Sequence, residues 1–130
     1  MDMKLELVPV PVRDVDRARA YYETIGFHTD VDTRPREGVR IVQLTPPGSA
    51  CSILLSSGLE QLTGTVPGSV RGLHLVVEDV DRARAELQRR GLDVGAVQDL
   101  GGGVRHAQLT DPDGDTLVLQ QMDRRTGDAF

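Results

Sequence analysis

The sequence predicts an α+β fold of two tandem βαβββ modules, which form a curved mixed sheet around a shared cup. Seven consecutive residues, Asp14 to Ala20, recur unchanged 65 residues later as Asp79 to Ala85, and 65 is half of the 130-residue length. Each copy follows a Val- and Leu-rich stretch, begins a helical pattern, and is followed by three strand-like stretches. We expect one domain, 1–130, built from a repeat at 1–57, a linker at 58–71 and a repeat at 72–122.

The first module is expected to open with a strand at 6–12. Asp14 then caps a helix, because its carboxylate can accept a hydrogen bond from a backbone N–H of the first turn. Tyr22 lies on the apolar face of that helix and is expected in the core. Gly26 ends the helix. Three strands follow, at 28–32, 39–45 and 51–56.

The second module repeats this plan with the same spacing. A strand is expected at 72–77, Asp79 caps the second helix, and Gly91 ends it. The three following strands are expected at 93–97, 104–110 and 115–122.

Composition excludes several classes of protein. The net charge is −5 and the isoelectric point is near 5.1, which argues against a nucleic-acid partner because such proteins carry basic surfaces. No apolar run approaches the roughly 20 residues of a membrane span, so no membrane partner is expected. The single cysteine, Cys51, excludes an intramolecular disulfide and a Cys-rich zinc site. A cytoplasmic location is the expectation.

Two motifs carry a resemblance to a known family. Both modules have the pattern strand, Val-x-Asp-Val-Asp-Arg-Ala, helix, and Asp111 to Gly114 forms an Asp-Pro-Asp-Gly turn before the last strand. With the paired modules, this resembles the vicinal oxygen chelate superfamily, which includes glyoxalase I, extradiol dioxygenases, fosfomycin-modifying enzymes and bleomycin-resistance proteins. The resemblance covers nearly the whole chain and implies the fold and a homodimer. The fold hosts unrelated chemistries, so function must be argued from the site.

The resemblance also implies where metal-using members hold a divalent metal, namely on the first and last strands of each module. In this chain those four positions hold Leu7, Gly72, Val118 and, through the 65-residue offset, Ile53. None of these side chains can donate a lone pair, so no metal and no other cofactor is expected. His74 and Gln120 lie two residues beyond ligand positions and share their face. A displaced site for one divalent metal around His74 and Gln120 is the alternative.

Strand alternation predicts which side chains face the cup. The predicted set is mostly apolar with converging amides and imidazoles: Leu7, Pro9, Ile41, Gln43, Cys51, Ile53, Leu55, Gly72, His74, His106, Gln108, Thr116, Val118 and Gln120. Such a pocket suits an uncharged or weakly polar small molecule. The candidate ligand-binding residues are His74, His106, Gln43, Gln108 and Gln120. No catalytic residue is identified, and His74 is the best candidate as a general base.

Two functions follow from these residues and the resemblance. The first is metal-independent binding of a small molecule, with a drug or metabolite sequestered as in the drug-binding branch of the family. The alternative is a metal-dependent lyase, isomerase or dioxygenase that acts on a vicinal-oxygen substrate at the displaced site. Whether the protein is an enzyme is left open. The chain has no Trp, two Tyr and two Phe, so we do not expect the aromatic clamp of bleomycin-binding members.

Overall fold

The computed structural model describes residues 1–130, apart from the side chain of Ala129. The chain divides into two compact units, residues 1–69 and 70–130. Each unit contains one α-helix and one four-stranded sheet with both parallel and antiparallel strand pairs. The predicted α+β class and the two tandem βαβββ modules are confirmed.

The first unit has its elements in the predicted order. They are β1 (Leu7–Pro9), α1 (Val15–Ile25), β2 (His28–Arg36), β3 (Val39–Thr45) and β4 (Ser52–Ser57). The strand order is β1-β4-β3-β2, and only β1 and β4 run parallel. The Asp14 carboxylate accepts a hydrogen bond from the backbone N–H of Arg17 at 3.1 Å, and Gly26 follows the last helical residue. Both predicted ends of α1 are confirmed.

The core of the first unit lies between α1 and one face of β3 and β4. The helix contributes Tyr22, which is 1% exposed and packs against Phe27 with ring centroids 5.3 Å apart. The sheet contributes Leu44 and Leu55, both fully buried. The predicted place of Tyr22 in the core is therefore confirmed.

The second unit repeats this arrangement. Its elements are β5 (Leu73–Val76), α2 (Val80–Arg89), β6 (Gln98–Gly101), β7 (Val104–Thr110) and β8 (Thr116–Met122). The strand order is β5-β8-β7-β6, with β5 and β8 parallel. The Asp79 carboxylate accepts from the backbone N–H of Arg82 at 3.0 Å. The same capping arrangement therefore starts both helices.

The strand predicted at 93–97 was wrong, because β6 occupies Gln98–Gly101 instead. Arg84 of α2 donates from Nε to the carbonyl of Gly95 at 2.8 Å. The Gly95 N–H donates to the carbonyl of Gln108 at 2.9 Å. The Gly95 carbonyl, which would accept a backbone hydrogen bond from β7 in a regular ladder, instead accepts one from the Arg84 side chain. The segment therefore runs beside β7 without forming a strand.

The first strand of the chain is shorter than predicted, since it ends at Pro9 rather than at residue 12. Pro9 and Pro11 carry no N–H and cannot donate to a neighbouring strand. The segment expected as a linker, residues 58–71, contains a short 3₁₀ helix at Glu60–Leu62. Within the described part of the chain, no helix has the length and apolar character needed to cross a membrane.

Candidate functional site

The second sheet has one face that α2 does not cover, and four of the five candidate residues lie on it. His106 pairs with Gln120, and Gln108 pairs with Val118, across β7 and β8. His74 of β5 pairs with Val118 from the other side. Because paired residues point to the same face of a sheet, His74, His106, Gln108 and Gln120 share this face, which we call the open face of the second module.

Three of these side chains form a connected cluster. His106 Nε2 lies 2.7 Å from Gln120 Oε1. The imidazoles of His74 and His106 meet edge to face, with ring centroids 5.3 Å apart and an interplanar angle of 81°. His74 Nδ1 also hydrogen-bonds the backbone carbonyl of Gly72. His74 is exposed, whereas His106 and Gln120 are half-buried. The candidate site therefore contains two imidazoles held in fixed orientations.

In the first module, the candidate Gln43 of β3 lies on the equivalent open face, where it pairs with Leu54 of β4. Gln43 Nε2 donates to Glu6 Oε1 over a long 3.4 Å. Ile41, opposite Ser56, shares this face. The first module thus presents one amide and mainly aliphatic groups at these central positions, with His28 opposite Thr45 on its edge strand β2, whereas His74 and His106 lie together in the second module.

The register of the first sheet corrects two predictions. Leu44 pairs with Ile53, whereas its repeat equivalent Leu109 pairs with Leu117. The hairpin before β4 is therefore one residue longer than the hairpin before β8, and the 65-residue offset becomes 64 there. A shift of one residue reverses the face of every following side chain. The expectation that Ile53 and Leu55 face the cup was wrong: they are 3% and 0% exposed and lie on the α1 side.

The same correction moves one of the four metal positions implied by the resemblance. Val118 pairs with His74 as Leu54 pairs with Pro9, so Leu54 replaces Ile53. The resulting set is Leu7, Leu54, Gly72 and Val118, which still offers no side-chain donor atom and does not fit a divalent transition metal. Among the described residues, no group of three or more His, Cys, Asp or Glu could hold a metal ion.

The linker forms a feature that sequence reasoning missed. Residues 58–67, together with the ends of β1 and β4 and the residues that follow them, line a partly open cavity of about 220 Å³ within the first unit. Its lining is uncharged: Pro9, Val10, Pro11, Val12, Ser56, Ser57, Gly58, Leu59, Leu62, Thr63, Thr65 and Pro67. The cavity is smaller than the roughly 300–1,000 Å³ of typical ligand pockets. No signal in the sequence marks it, because it depends on how the linker folds back.

Each module has an arginine that forms an ion pair with its helix on the helix side of the sheet. In the first module Arg40 is 8% exposed and donates to Asp16 at 2.5 Å and to Asp32 at 2.9 and 3.1 Å. In the second module the equivalent Arg105 donates to Asp81 at 2.7 Å. The signal was present, since Asp16 and Arg40 recur as Asp81 and Arg105 at the 65-residue offset. The repeat therefore preserves an ion pair between helix and strand.

These ion pairs shift the titration of their members. The hydrogen bond from Arg40 holds the pKa of Asp32 below its usual value, against an opposing effect of burial. The hydrogen bonds that Arg40 donates to Asp32 raise the pKa of Arg40, and the bond that Arg105 donates to Asp81 raises the pKa of Arg105 in the same way. On α1, Arg19 also donates to Glu23 at 3.0 Å. These ion pairs lie on or beside the helices and do not include a member of the imidazole cluster.

Comparison with known proteins gives matches that span both modules. The family model described as Glyoxalase/Bleomycin resistance protein/Dioxygenase superfamily matches residues 4–119. No curated protein matches the sequence.

Three solved structures illustrate the similarity. TnmS3, an antibiotic binding protein from Streptomyces sp. CB03234, is 36% identical with a TM-score of 0.80, over 94% of this chain and 98% of that one. A glyoxalase/bleomycin resistance protein from the same organism is 37% identical with a TM-score of 0.75, over 91% of this chain and 100% of that one. The bleomycin resistance determinant encoded on transposon Tn5 shares the fold at 23% identity, with a TM-score of 0.64 over 93% and 99%.

Proposed function

Because the chain belongs to the Glyoxalase/Bleomycin resistance protein/Dioxygenase superfamily, we propose that it binds and sequesters a small-molecule drug or metabolite without a metal cofactor. The observation that carries this proposal is the open face of the second module. Its described side chains include two imidazoles, the amides of Gln108 and Gln120, and the aliphatic Val118, and none of those paired across β5, β7 and β8 is a carboxylate. A neutral face with a few polar groups orients an uncharged ligand.

The nature of the ligand is proposed from the most similar proteins described above. TnmS3 is an antibiotic binding protein with 36% identity over 94% of this chain. This level of similarity supports an antibiotic or a related natural product as the ligand class. His74, His106, Gln108 and Gln120 are the proposed ligand-binding residues in the second module, and Gln43 is the proposed one in the first.

Metal independence is supported by the chemistry of the four positions at which metal-using members hold their ligands. Leucine, glycine and valine side chains carry no lone pair, and a catalytic metal generally needs about three protein ligands. The alternative is a metal-dependent enzyme around His74 and Gln120. Against it, Gln120 Oε1 is already engaged by His106. A homodimer, predicted from the resemblance, and a cytoplasmic location, predicted from the composition, complete the proposal.

Native mass spectrometry tests binding against turnover. The protein, purified without chelator, is incubated with a panel of natural-product antibiotics that includes bleomycin. We expect a stoichiometric non-covalent complex from which the ligand is released with its mass unchanged. His74→Ala should weaken the complex. His28→Ala is the control for the loss of an imidazole, because His28 lies in the first sheet on β2, with a side chain that is 79% exposed, and is not a member of the His74–His106 cluster.

The enzyme alternative predicts a different result from the same samples. A product of altered mass would contradict sequestration. So would a stoichiometric divalent metal, measured by elemental analysis, that is lost in His74→Ala and retained in His28→Ala. Size-exclusion chromatography with light scattering tests the predicted homodimer, and a monomeric mass at micromolar concentration would contradict it.

A further inference from the structure

The two imidazoles of the second module each have one ring nitrogen engaged by an oxygen that can only accept. His74 Nδ1 meets the backbone carbonyl of Gly72, and His106 Nε2 meets Gln120 Oε1 at 2.7 Å. A carbonyl oxygen accepts and never donates, so each engaged nitrogen must carry the proton. A neutral imidazole has one N–H and one lone pair. The lone pairs are therefore on His74 Nε2 and His106 Nδ1.

Gly72 contributes to this arrangement through its backbone. Its φ is +71°, a conformation that residues with a side chain rarely adopt. A Cβ at this position would lie 3.5 Å from Cε1 and 3.8 Å from Nδ1 of His74, which is ordinary contact. The space is thus available, and the strained φ is what a larger residue would not tolerate. Gly72 occupies one of the metal-ligand positions implied by the resemblance, and here its carbonyl orients an imidazole.

The rest of the face leaves both lone pairs available. The described residues supply no hydrogen-bond donor to His74 Nε2 or His106 Nδ1. The rings pack edge to face at 5.3 Å, so each limits the rotation of the other. His74 is exposed, and its lone pair is open to a ligand. A flat ring can lie against an imidazole, since aromatic faces and edges attract one another.

From this geometry we infer that the ligand of the second module carries a hydrogen-bond donor, such as a hydroxyl, which it directs to His74 Nε2. The inference rests on the proposed small-molecule function and specifies the ligand that its site selects. Gly72 and Gln120 are positioning residues: an oxygen of each accepts a hydrogen bond from one ring N–H, which leaves the other ring nitrogen as the acceptor. A ligand without a donor would leave the lone pair unpaired, which costs binding free energy.

The tautomers can be measured without any ligand. Long-range ¹H–¹⁵N correlation spectra of the uniformly ¹⁵N-labelled protein distinguish protonated from lone-pair nitrogens in each histidine. We expect His74 to be protonated at Nδ1 and His106 at Nε2. Gly72→Ala should convert His74 to a mixture of tautomers, and Gln120→Met should do the same for His106. The two variants are independent, so one that fails to fold does not remove the test. The opposite tautomers in the wild-type protein would overturn the inference.

Ligand selection is tested with a matched pair of probes, 2-naphthol and 2-methoxynaphthalene. In the second probe a methyl group replaces the hydroxyl hydrogen, so it has no hydrogen-bond donor. We expect 2-naphthol to bind about fivefold to tenfold more tightly, the effect of one hydrogen bond, and to shift the His74 Nε2 resonance. His74→Phe keeps a flat ring without an acceptor and should abolish the preference. His28→Phe should retain it.

The outcomes separate this inference from the proposed function. Equal binding of the two probes, no binding of either, or a preference that survives His74→Phe overturns the inference, whatever antibiotic complexes mass spectrometry detects. The stated tautomers and probe preference would support it even if the antibiotic panel gave turnover rather than sequestration.

Discussion

Replacing Arg40 with methionine should lower the free energy of unfolding more than the same change at its repeat equivalent, Arg105. Arg40 is the point where strand β3, strand β2 and helix α1 are joined, because its guanidinium binds Asp32 of β2 through two nitrogens and Asp16 of α1 through the third. Arg105 makes one such bond, to Asp81. Methionine keeps most of the aliphatic stem in both variants, so the comparison isolates the charged head.

The expected size follows from exposure and geometry. The Arg40 side chain is 10% exposed and that of Asp32 is 26% exposed, whereas Asp16 is 79% exposed. Hydrogen bonds to charged groups contribute about 1.5–3 kcal/mol each when shielded, and bonds to exposed partners contribute little. Asp32 retains its bond from Arg19 in the variant, which limits the loss. We expect Arg40→Met to cost about 2 kcal/mol.

Urea and thermal denaturation of the two variants and the wild-type protein, followed by far-ultraviolet circular dichroism, measure the loss in free energy of unfolding and in melting temperature. For a chain of this size, 1 kcal/mol corresponds to about 4 °C in melting temperature, so Arg40→Met should melt about 8 °C lower. Arg105→Met should melt close to the wild type, because the Arg105 and Asp81 side chains are 34% and 59% exposed. Arg40→Lys keeps the charge but not the fork, and should fall between.

Equal losses at Arg40 and Arg105 would refute the reasoning, since they would show that shielding of the guanidinium does not matter. A loss in Arg40→Lys as large as that in Arg40→Met would show that the guanidinium fork, rather than the positive charge alone, is responsible.

Three further predictions follow from other features. Arg40 lowers the pKa of Asp32, so the stability that this ion pair contributes is complete above the ordinary carboxyl pKa near 3.8 and is lost as the pH falls through the lowered folded-state pKa. Denaturation of the wild type and of Arg40→Met at pH 6 and pH 3 measures this loss. A difference in stability between the two proteins that does not change with pH would contradict the prediction. Gly58→Ala should destabilise the protein by about 2 kcal/mol more than Gly38→Ala. Both glycines have a positive φ, but only a Cβ at Gly58 would collide with a backbone oxygen, that of Gly38, at 1.9 Å. Equal melting temperatures of the two variants would exclude that collision. Leu55→Ala should cost about 2–5 kcal/mol and Leu54→Ala less than half as much, because Leu55 is fully buried on the helix side; the reverse order in urea denaturation would disprove the register.

The sequence was sufficient for the features that depend on local physical chemistry. Asp14 and Asp79 were recognised as helix caps because an aspartate before an apolar helical pattern satisfies orphan backbone N–H groups, and both accept such bonds. The second-module face was also predicted correctly, since the alternation of β7 and β8 is regular from His106 to Gln120.

The errors occurred where a distant contact or a loop length decided the outcome. The strand expected at 93–97 is replaced by a segment whose Gly95 carbonyl bonds to Arg84 on α2, a contact that no local pattern reports. Ile53 and Leu55 were assigned to the wrong face because identity between the repeats runs without a gap into the hairpin, where one module is one residue longer. The contact between His74 and His106 depends on side-chain direction and could not be predicted from spacing.

The extra residue in the first hairpin gives a rule for making the protein symmetric. A designer who aligned the halves by identity would place a copy of Gln120 at Leu55 and would bury an amide in the core. The strand pairing directs it to Ser56, which faces Ile41 as Gln120 faces His106. Pro9→His, Ile41→His and Ser56→Gln would then reproduce the imidazole cluster in the other half. The product would carry the same three polar side chains on both sheets, with Leu7 in the place where Gly72 orients His74.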